Sequence, residues 1–148
     1  MAGATRPWSF SMTAISVALG TLAAGPARID WVLALVTLIG ALCLHAATNL
    51  ANDLYDYRDG IDKPGSPGVR ARHHPLVERT LSPRQVLTGA IAFWIAATLV
   101  GVCLAAARGW PVLVLTGIGV FAGLFYSAGP VRLKGRVLGE LTAFLMWG

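Results

Sequence analysis

The chain has 148 residues, 55% of them hydrophobic and 13% charged, with a formal net charge of +5 and a mean hydropathy of +0.64. Soluble domains carry about 25% charged residues, so a value this low excludes an ordinary soluble domain and points to the bilayer. The excess of cations needs no nucleic acid to explain it, because their placement along the chain follows membrane orientation.

Residues 9–25 form the first apolar run, just after Arg6. A cleaved secretory signal has a similar start. This run is long, however, and further apolar runs follow with no polar mature domain, so it is expected to stay as a span. Residues 31–48, 86–107 and 111–128 form the next three runs, each near the roughly 17–25 residues that cross a membrane. A fifth run, 137–148, covers about 18 Å of a roughly 30 Å hydrocarbon core. The turns near 26–30 and 108–110 are short. Segment 58–84 is long and basic and is broken by KPGSPG. Within it, Ser82 followed by Pro83 reads as a helix N-cap with proline at the first helical position, so the third long helix is expected to start near Pro83. Cys43 and Cys103 fall inside apolar runs and read as small apolar filler.

Orientation follows from the cations. With the N-terminus in the cytoplasm, the inner segments hold Arg6, Arg58, Lys63, Arg70, Arg72, Arg79, Arg84, Arg132, Lys134 and Arg136, and the outer turns hold only Arg28 and Arg108. Ten against two is a strong positive-inside pattern. The expectation is an all-α, multi-span transmembrane helical bundle in the cell membrane, with its N-terminus and the 58–84 loop cytoplasmic.

The stretch TNLANDLYDYRDGID, residues 48–62, places two amides and four carboxylates directly after the second apolar run. If that helix continues to about Asp59 and is stopped by Gly60, then Asn49, Asn52, Asp53 and Asp56 fall within about 100° of one another, and Asp59 extends the face. Asp62 lies beyond the glycine, so spacing does not set its direction. Like charges at i, i+3 repel, and charge is costly at membrane depth. A divalent cation would relieve both, and oxygen-only ligands suit a hard ion such as Mg²⁺, which shares its shell with substrate phosphates. The plainer alternative is a solvated helix end whose acids pair with Arg58 and Lys63. His45, one turn before Asn49, reads as a hydrogen-bonded packing residue. His73 and His74 read as solvated loop residues. Tyr55 and Tyr57 read as interfacial anchors, and Glu140 is expected to pair with an arginine of the loop before it.

NDLYDYRDGID resembles the first aspartate-rich motif of the UbiA superfamily of intramembrane prenyltransferases. RPWSF, HHPLVERTLSPRQV and YSAGPVRLKGRVLGEL resemble, in turn, the family's N-terminal segment, the loop after the motif, and the tyrosine-to-LGE stretch before the fifth span. The details are most like the 1,4-dihydroxy-2-naphthoate polyprenyltransferase branch of menaquinone biosynthesis. The resemblance implies Mg²⁺-dependent transfer of a polyprenyl group from its diphosphate to an aromatic acceptor. It implies Asn52, Asp53 and Asp56 as the motif core, Asp59 and Asp62 as the two candidates for outer metal ligand, and Tyr126 as a further catalytic candidate. Asn49, Arg58, Arg72, His74, Arg132 and Lys134 become candidate substrate contacts. His74 stands where many relatives have arginine, Arg79 where many have glycine, and Pro130 where some have lysine. The family also carries a second aspartate-rich motif in its later half. Here the only acids after the first cluster are Glu78 and Glu140. The chain is therefore expected to be the N-terminal part of such a domain, needing the missing half or a second copy for chemistry. The competing readings are a non-catalytic membrane subunit or truncated product, and a fragment of a cation-coupled transporter.

Overall fold

A computed structural model describes residues 2–127, Lys134 and 138–147. The described residues are 80% helical, and none of them lies in a strand. Among the described residues, six α-helices follow two short 3-10 turns at the N-terminus: α1 (Phe10–Ala23), α2 (Trp31–Arg58), α3 (Pro67–Ala71), α4 (Pro83–Arg108), α5 (Pro111–Ser127) and α6 (Leu138–Trp147). The central element is α2, which packs against α1, α4 and α5.

The boundaries of α2 and the start of α4 have local causes. Asp30 caps α2 by accepting a hydrogen bond from Leu33 N at 3.1 Å. Ser82 and Gln85 form a reciprocal capping box around Pro83, as the Ser-Pro pair leads one to expect. At its other end α2 stops at Gly60, whose φ of 70° is readily open only to a residue without a Cβ. The chain then folds back, and the Ile61 and Asp62 amides both donate to Asp56 O.

Two helices, α2 and α4, are long and apolar enough to cross a membrane, yet only 22% and 17% of the residues in their most apolar stretches are buried. A core helix of a soluble protein would be mostly covered. Leu19, Leu35, Leu99 and Phe121 are likewise more than half exposed, so the outer face of the bundle is a hydrocarbon-facing surface. The flanking helices are shorter than the apolar runs: α1 has 14 residues and α5 has 17, or about 21 Å and 26 Å of rise. The Gly25–Pro26 corner ends α1, and the 3-10 turn Pro7–Ser9 precedes it.

The close-packed apolar core sits at one end of the bundle. It joins Leu50 and Leu54 of α2, Val86 and Ala90 of α4, Ala4 of the N-terminal turn and Leu76 of the long loop. The loop is therefore an ordered cover, anchored by Leu76 and containing α3. Arg79 adopts φ 57° within it, a left-handed conformation that costs a side-chain-bearing residue roughly 1–2 kcal/mol. Arg79→Val is expected to lower stability by about 1–2 kcal/mol, since β-branching makes that conformation worse, whereas Arg79→Gly should be neutral or stabilising. Thermal unfolding of the two variants in detergent checks the sign.

Candidate functional site

The polar stripe of α2 is buried at the core end of the bundle. Asn49, Asn52, Asp53 and Asp56 are all buried, with Asp53 fully so. Each has a partner brought from elsewhere in the chain. Asn49 Nδ2 donates to Thr5 O at 2.8 Å, which ties down the N-terminal turn. That turn delivers Arg6, itself left-handed at φ 56°, into an ion pair with Asp53. The covering loop delivers Arg72, whose two terminal nitrogens reach the two Asp53 oxygens at 3.1 and 2.6 Å, a bidentate fork. Lys134 Nζ lies 2.5 Å from Asp56 Oδ2 and 3.0 Å from Asn52 Oδ1, and Ser127 Oγ donates to the same Asn52 oxygen at 2.8 Å.

The chain reversal at Gly60 settles the direction of Asp62. It points back into the cluster, 3.0 Å from His74 Nε2 and 4.0 Å from Arg72. The expectation that His74 is solvated is overturned, because its side chain is fully buried. Leu76 in the core and a hydrogen bond from His74 N to Glu78 Oε1 at 2.8 Å pull the loop inward and carry His74 with it. His73, by contrast, is exposed and pairs with Glu78. Asp53, Asp62 and His74 each place one possible donor atom within 4.8 Å of the others.

Among the described residues, Asp53, Asp56 and Asp62 have partners other than Arg58 and Lys63. They meet Arg6, Arg72, Lys134 and His74. Arg58 is exposed and outside the cluster, and Asp59 is an exposed C-cap. Arg132 lies outside the described residues. Glu140 lies in the first turn of α6, and the loop arginines expected to meet it are also outside the described residues. Tyr126 and Lys134 line a cavity of about 370 Å³ that runs from Arg6, Asn49 and Asn52 along α1, α2 and α5. His45 lines it too, held by Thr13 at 2.7 Å and Ser9 at 3.1 Å. Arg6 and Ser127 are site residues that sequence reasoning missed. Arg6 counted only as an orientation charge, although RPWSF marked its segment.

The residues present fit a bound metal–anion pair. Lys134 places a cation between two oxygen donors, Asn52 and Asp56, which is the environment a hard metal ion takes. Arg6 Nε is buried with no hydrogen-bond partner among the described residues. A buried guanidinium nitrogen left unpaired is costly, and an anion at that position would satisfy it.

Fold and site together define a helical membrane protein with a charge-balanced polar pocket at one end of its bundle. Residues 13–148 match the UbiA prenyltransferase family, and the chain belongs to that family. It is 31% identical over 145 residues to 1,4-dihydroxy-2-naphthoate octaprenyltransferase of Bacillus subtilis, covering 97% of this chain and 46% of that protein. It is 32% identical over 149 residues to UbiA prenyltransferase domain-containing protein 1 of Xenopus tropicalis, covering 98% and 42%, and a similar match holds for the Mus musculus protein. The chain thus spans less than half the length of these relatives. No solved structure matches it significantly.

Proposed function

We propose that this chain supplies the diphosphate-binding half-site of a Mg²⁺-dependent polyprenyltransferase whose acceptor is 1,4-dihydroxy-2-naphthoate and whose donor is a polyprenyl diphosphate; the name of the Bacillus relative gives that acceptor and an octaprenyl group. The observation that carries the reading is the stripe Asn49–Asn52–Asp53–Asp56, buried at the end of an apolar helix with Arg6, Arg72 and Lys134 converging on it. Asn52, Asp53 and Asp56 would hold the metal, with Asp62 as the outer acid that the chain reversal brings near and Asp59 as the more distant one. Bound Mg²⁺ would supply charge neutralisation for the departing diphosphate.

The chain's own residues would do the rest. Arg6 and Lys134, at the polar end of the cavity, would exchange carboxylate oxygens for phosphate oxygens as the donor arrives, keeping the buried charge balanced. Arg72, doubly bonded to Asp53, would hold that carboxylate and the covering loop in place. His74 would position Asp62. Tyr126 on the cavity wall would face the reacting end of the donor, and the walls would exclude water while the allylic C–O bond breaks and an aromatic carbon attacks. These 148 residues alone are expected to bind donor without turnover, because Asp53, Asp56 and Asp62 form the chain's single acidic cluster. Lys134→Gln is expected to weaken Mg²⁺-dependent binding of a prenyl thiolodiphosphate by about tenfold or more, the scale of one charge-assisted contact, and Arg58→Gln to leave it unchanged. Calorimetry on the purified chain tests this. Equal affinities for the two variants would remove Lys134 from the site.

The ten-to-two distribution of cations supports a cytoplasmic N-terminus and 58–84 loop. Single cysteines replacing the exposed Lys63 and Ala27, in a background lacking Cys43 and Cys103, would report it. A membrane-impermeant maleimide applied outside intact cells should label position 27 and spare position 63. The reverse pattern contradicts the orientation.

A further inference from the structure

Arg6 reaches Asp53 from a left-handed backbone, with φ 56° and ψ 60°. A residue with a side chain keeps that conformation only where its surroundings hold it. The peptide groups on both sides of Arg6 are held. Thr5 O accepts from Asn49 Nδ2 at 2.8 Å. Arg6 O accepts from Ser9 Oγ at 2.8 Å, as well as from Ser9 N at 2.9 Å. One side-chain clamp from α2 and one from the turn before α1 thus set the conformation that aims the guanidinium.

The Ser9 clamp depends on His45. A hydroxyl has one proton to give and two lone pairs to receive with. The Arg6 carbonyl can only accept, so the Ser9 proton is committed to it. Ser9 Oγ also lies 3.1 Å from His45 Nε2 and 3.4 Å from Asn49 Nδ2, and both of these must then donate. That assigns a proton to His45 Nε2. An accepting Nε2 would compete for the Ser9 proton and release Arg6 O. The ring is held for this task. Its Nδ1 lies 2.7 Å from Thr13 Oγ1, Phe10 meets it edge-on with centroids 5.4 Å apart, and both His45 and Thr13 are buried. His45 and Asn49 are one helical turn apart, so both clamps are mounted on the same face of α2.

We propose that His45 is a positioning residue for Arg6. By donating to Ser9 Oγ it directs the Ser9 proton onto Arg6 O, and so holds the guanidinium where a diphosphate oxygen meets it. The buried Arg6 Nε, without a hydrogen-bond partner among the described residues, is the donor presented in this way. A histidine that only packs needs the right shape; this one needs a donor at Nε2. The inference rests on the donor reading given above, in which Arg6 passes from Asp53 to phosphate.

The test measures the affinity of the chain in lipid nanodiscs for geranyl S-thiolodiphosphate with Mg²⁺. His45→Phe keeps a ring and removes the donor, and is expected to weaken binding by about fivefold, the scale of one neutral hydrogen bond. Ser9→Ala, which removes the clamp itself, should weaken it to a similar degree. His45→Gln, whose side-chain amide can donate to Ser9 Oγ, should recover most of the loss. Arg6→Gln is expected to lose about tenfold or more, the scale of a charge-assisted contact. In that background neither His45→Phe nor Ser9→Ala should weaken binding further, because the guanidinium they aim is gone. Two results overturn the proposal and leave the donor reading standing: losses that persist at full size in the Arg6→Gln background, or a Ser9→Ala variant that binds like the unaltered chain. If His45→Phe does not fold, Ser9→Ala with and without Arg6→Gln decides by the same criteria. Failure of the unaltered chain to bind the probe, or an Arg6→Gln variant that binds it equally well, overturns the donor role of Arg6 and the proposal together.

Discussion

Replacing Asp53 with leucine is expected to destabilise the folded chain by about 3–5 kcal/mol, the cost of stranding buried charge. The carboxylate is fully buried and is the shared partner of Arg6 and Arg72. Those two side chains are mostly covered, at 22% and 15% exposure. Without Asp53, two guanidiniums face each other in a buried site, with Asp62, 4.0 Å from Arg72, as the carboxylate left beside them. The N-terminal turn and the covering loop lose the anchor that ties both to α2. The double variant Asp53→Leu/Arg72→Met should recover part of the loss, because it removes one of the two stranded cations, and this non-additivity marks direct coupling. Lys63→Ala serves as the comparison. It changes an exposed side chain outside the cluster and should stay within about 0.5 kcal/mol. Unfolding in detergent, followed by circular dichroism, gives all three values. A loss below about 1 kcal/mol for Asp53→Leu would mean that the two arginines find other partners and that the cluster does not hold the loop.

The parts of this arrangement that were legible in the sequence are those fixed by neighbours along the chain. The Ser82–Pro83 start of α4 and the Gly60 stop of α2 depend on one or two residues each. The shared face of Asn49, Asn52, Asp53 and Asp56 depends only on helical periodicity, and all four side chains are buried together. The partners of that face were harder to see. Arg6 is 47 residues from Asp53, and Lys134 is 78 from Asp56. Nothing local distinguishes a cation that neutralises a buried acid from one that sets orientation. His74 was misread for the same reason. A histidine pair before Pro75 in a basic loop has the composition of solvent-facing chain. Its burial follows from Leu76 entering the core and from the reversal at Gly60 that brings Asp62 back to meet it. The short helices α1 and α5 show a related limit: hydropathy marks apolar stretches, and the corner and turn residues at their ends decide how much of each is helix.

The charge pattern also bears on how the site works. Three carboxylates, Asp53, Asp56 and Asp62, face three permanent cations, Arg6, Arg72 and Lys134. The cluster is close to neutral, and it is buried, where uncompensated charge is costly. Adding Mg²⁺ alone would bring an uncompensated double charge. Adding it with a diphosphate would bring compensating charge and supply oxygens for both the metal and the displaced cations. Metal and anion should therefore bind together, each raising the affinity of the other by the same factor.

Titration of the purified chain with Mg²⁺, with and without a prenyl thiolodiphosphate, tests this linkage and with it the assignment of the α2 stripe as the donor site. The unaltered chain should bind Mg²⁺ weakly alone and at least about a hundredfold more tightly with the analogue present, a coupling of about 2.7 kcal/mol. Asp56→Ala, which removes the carboxylate beside Lys134 and Asn52, should abolish that gain. Asp30→Ala, which removes a cap and a surface ion pair at the opposite end of α2, should keep it. Mg²⁺ binding that is indifferent to the analogue, or a gain equally present in Asp56→Ala, would contradict a diphosphate site at the end of α2.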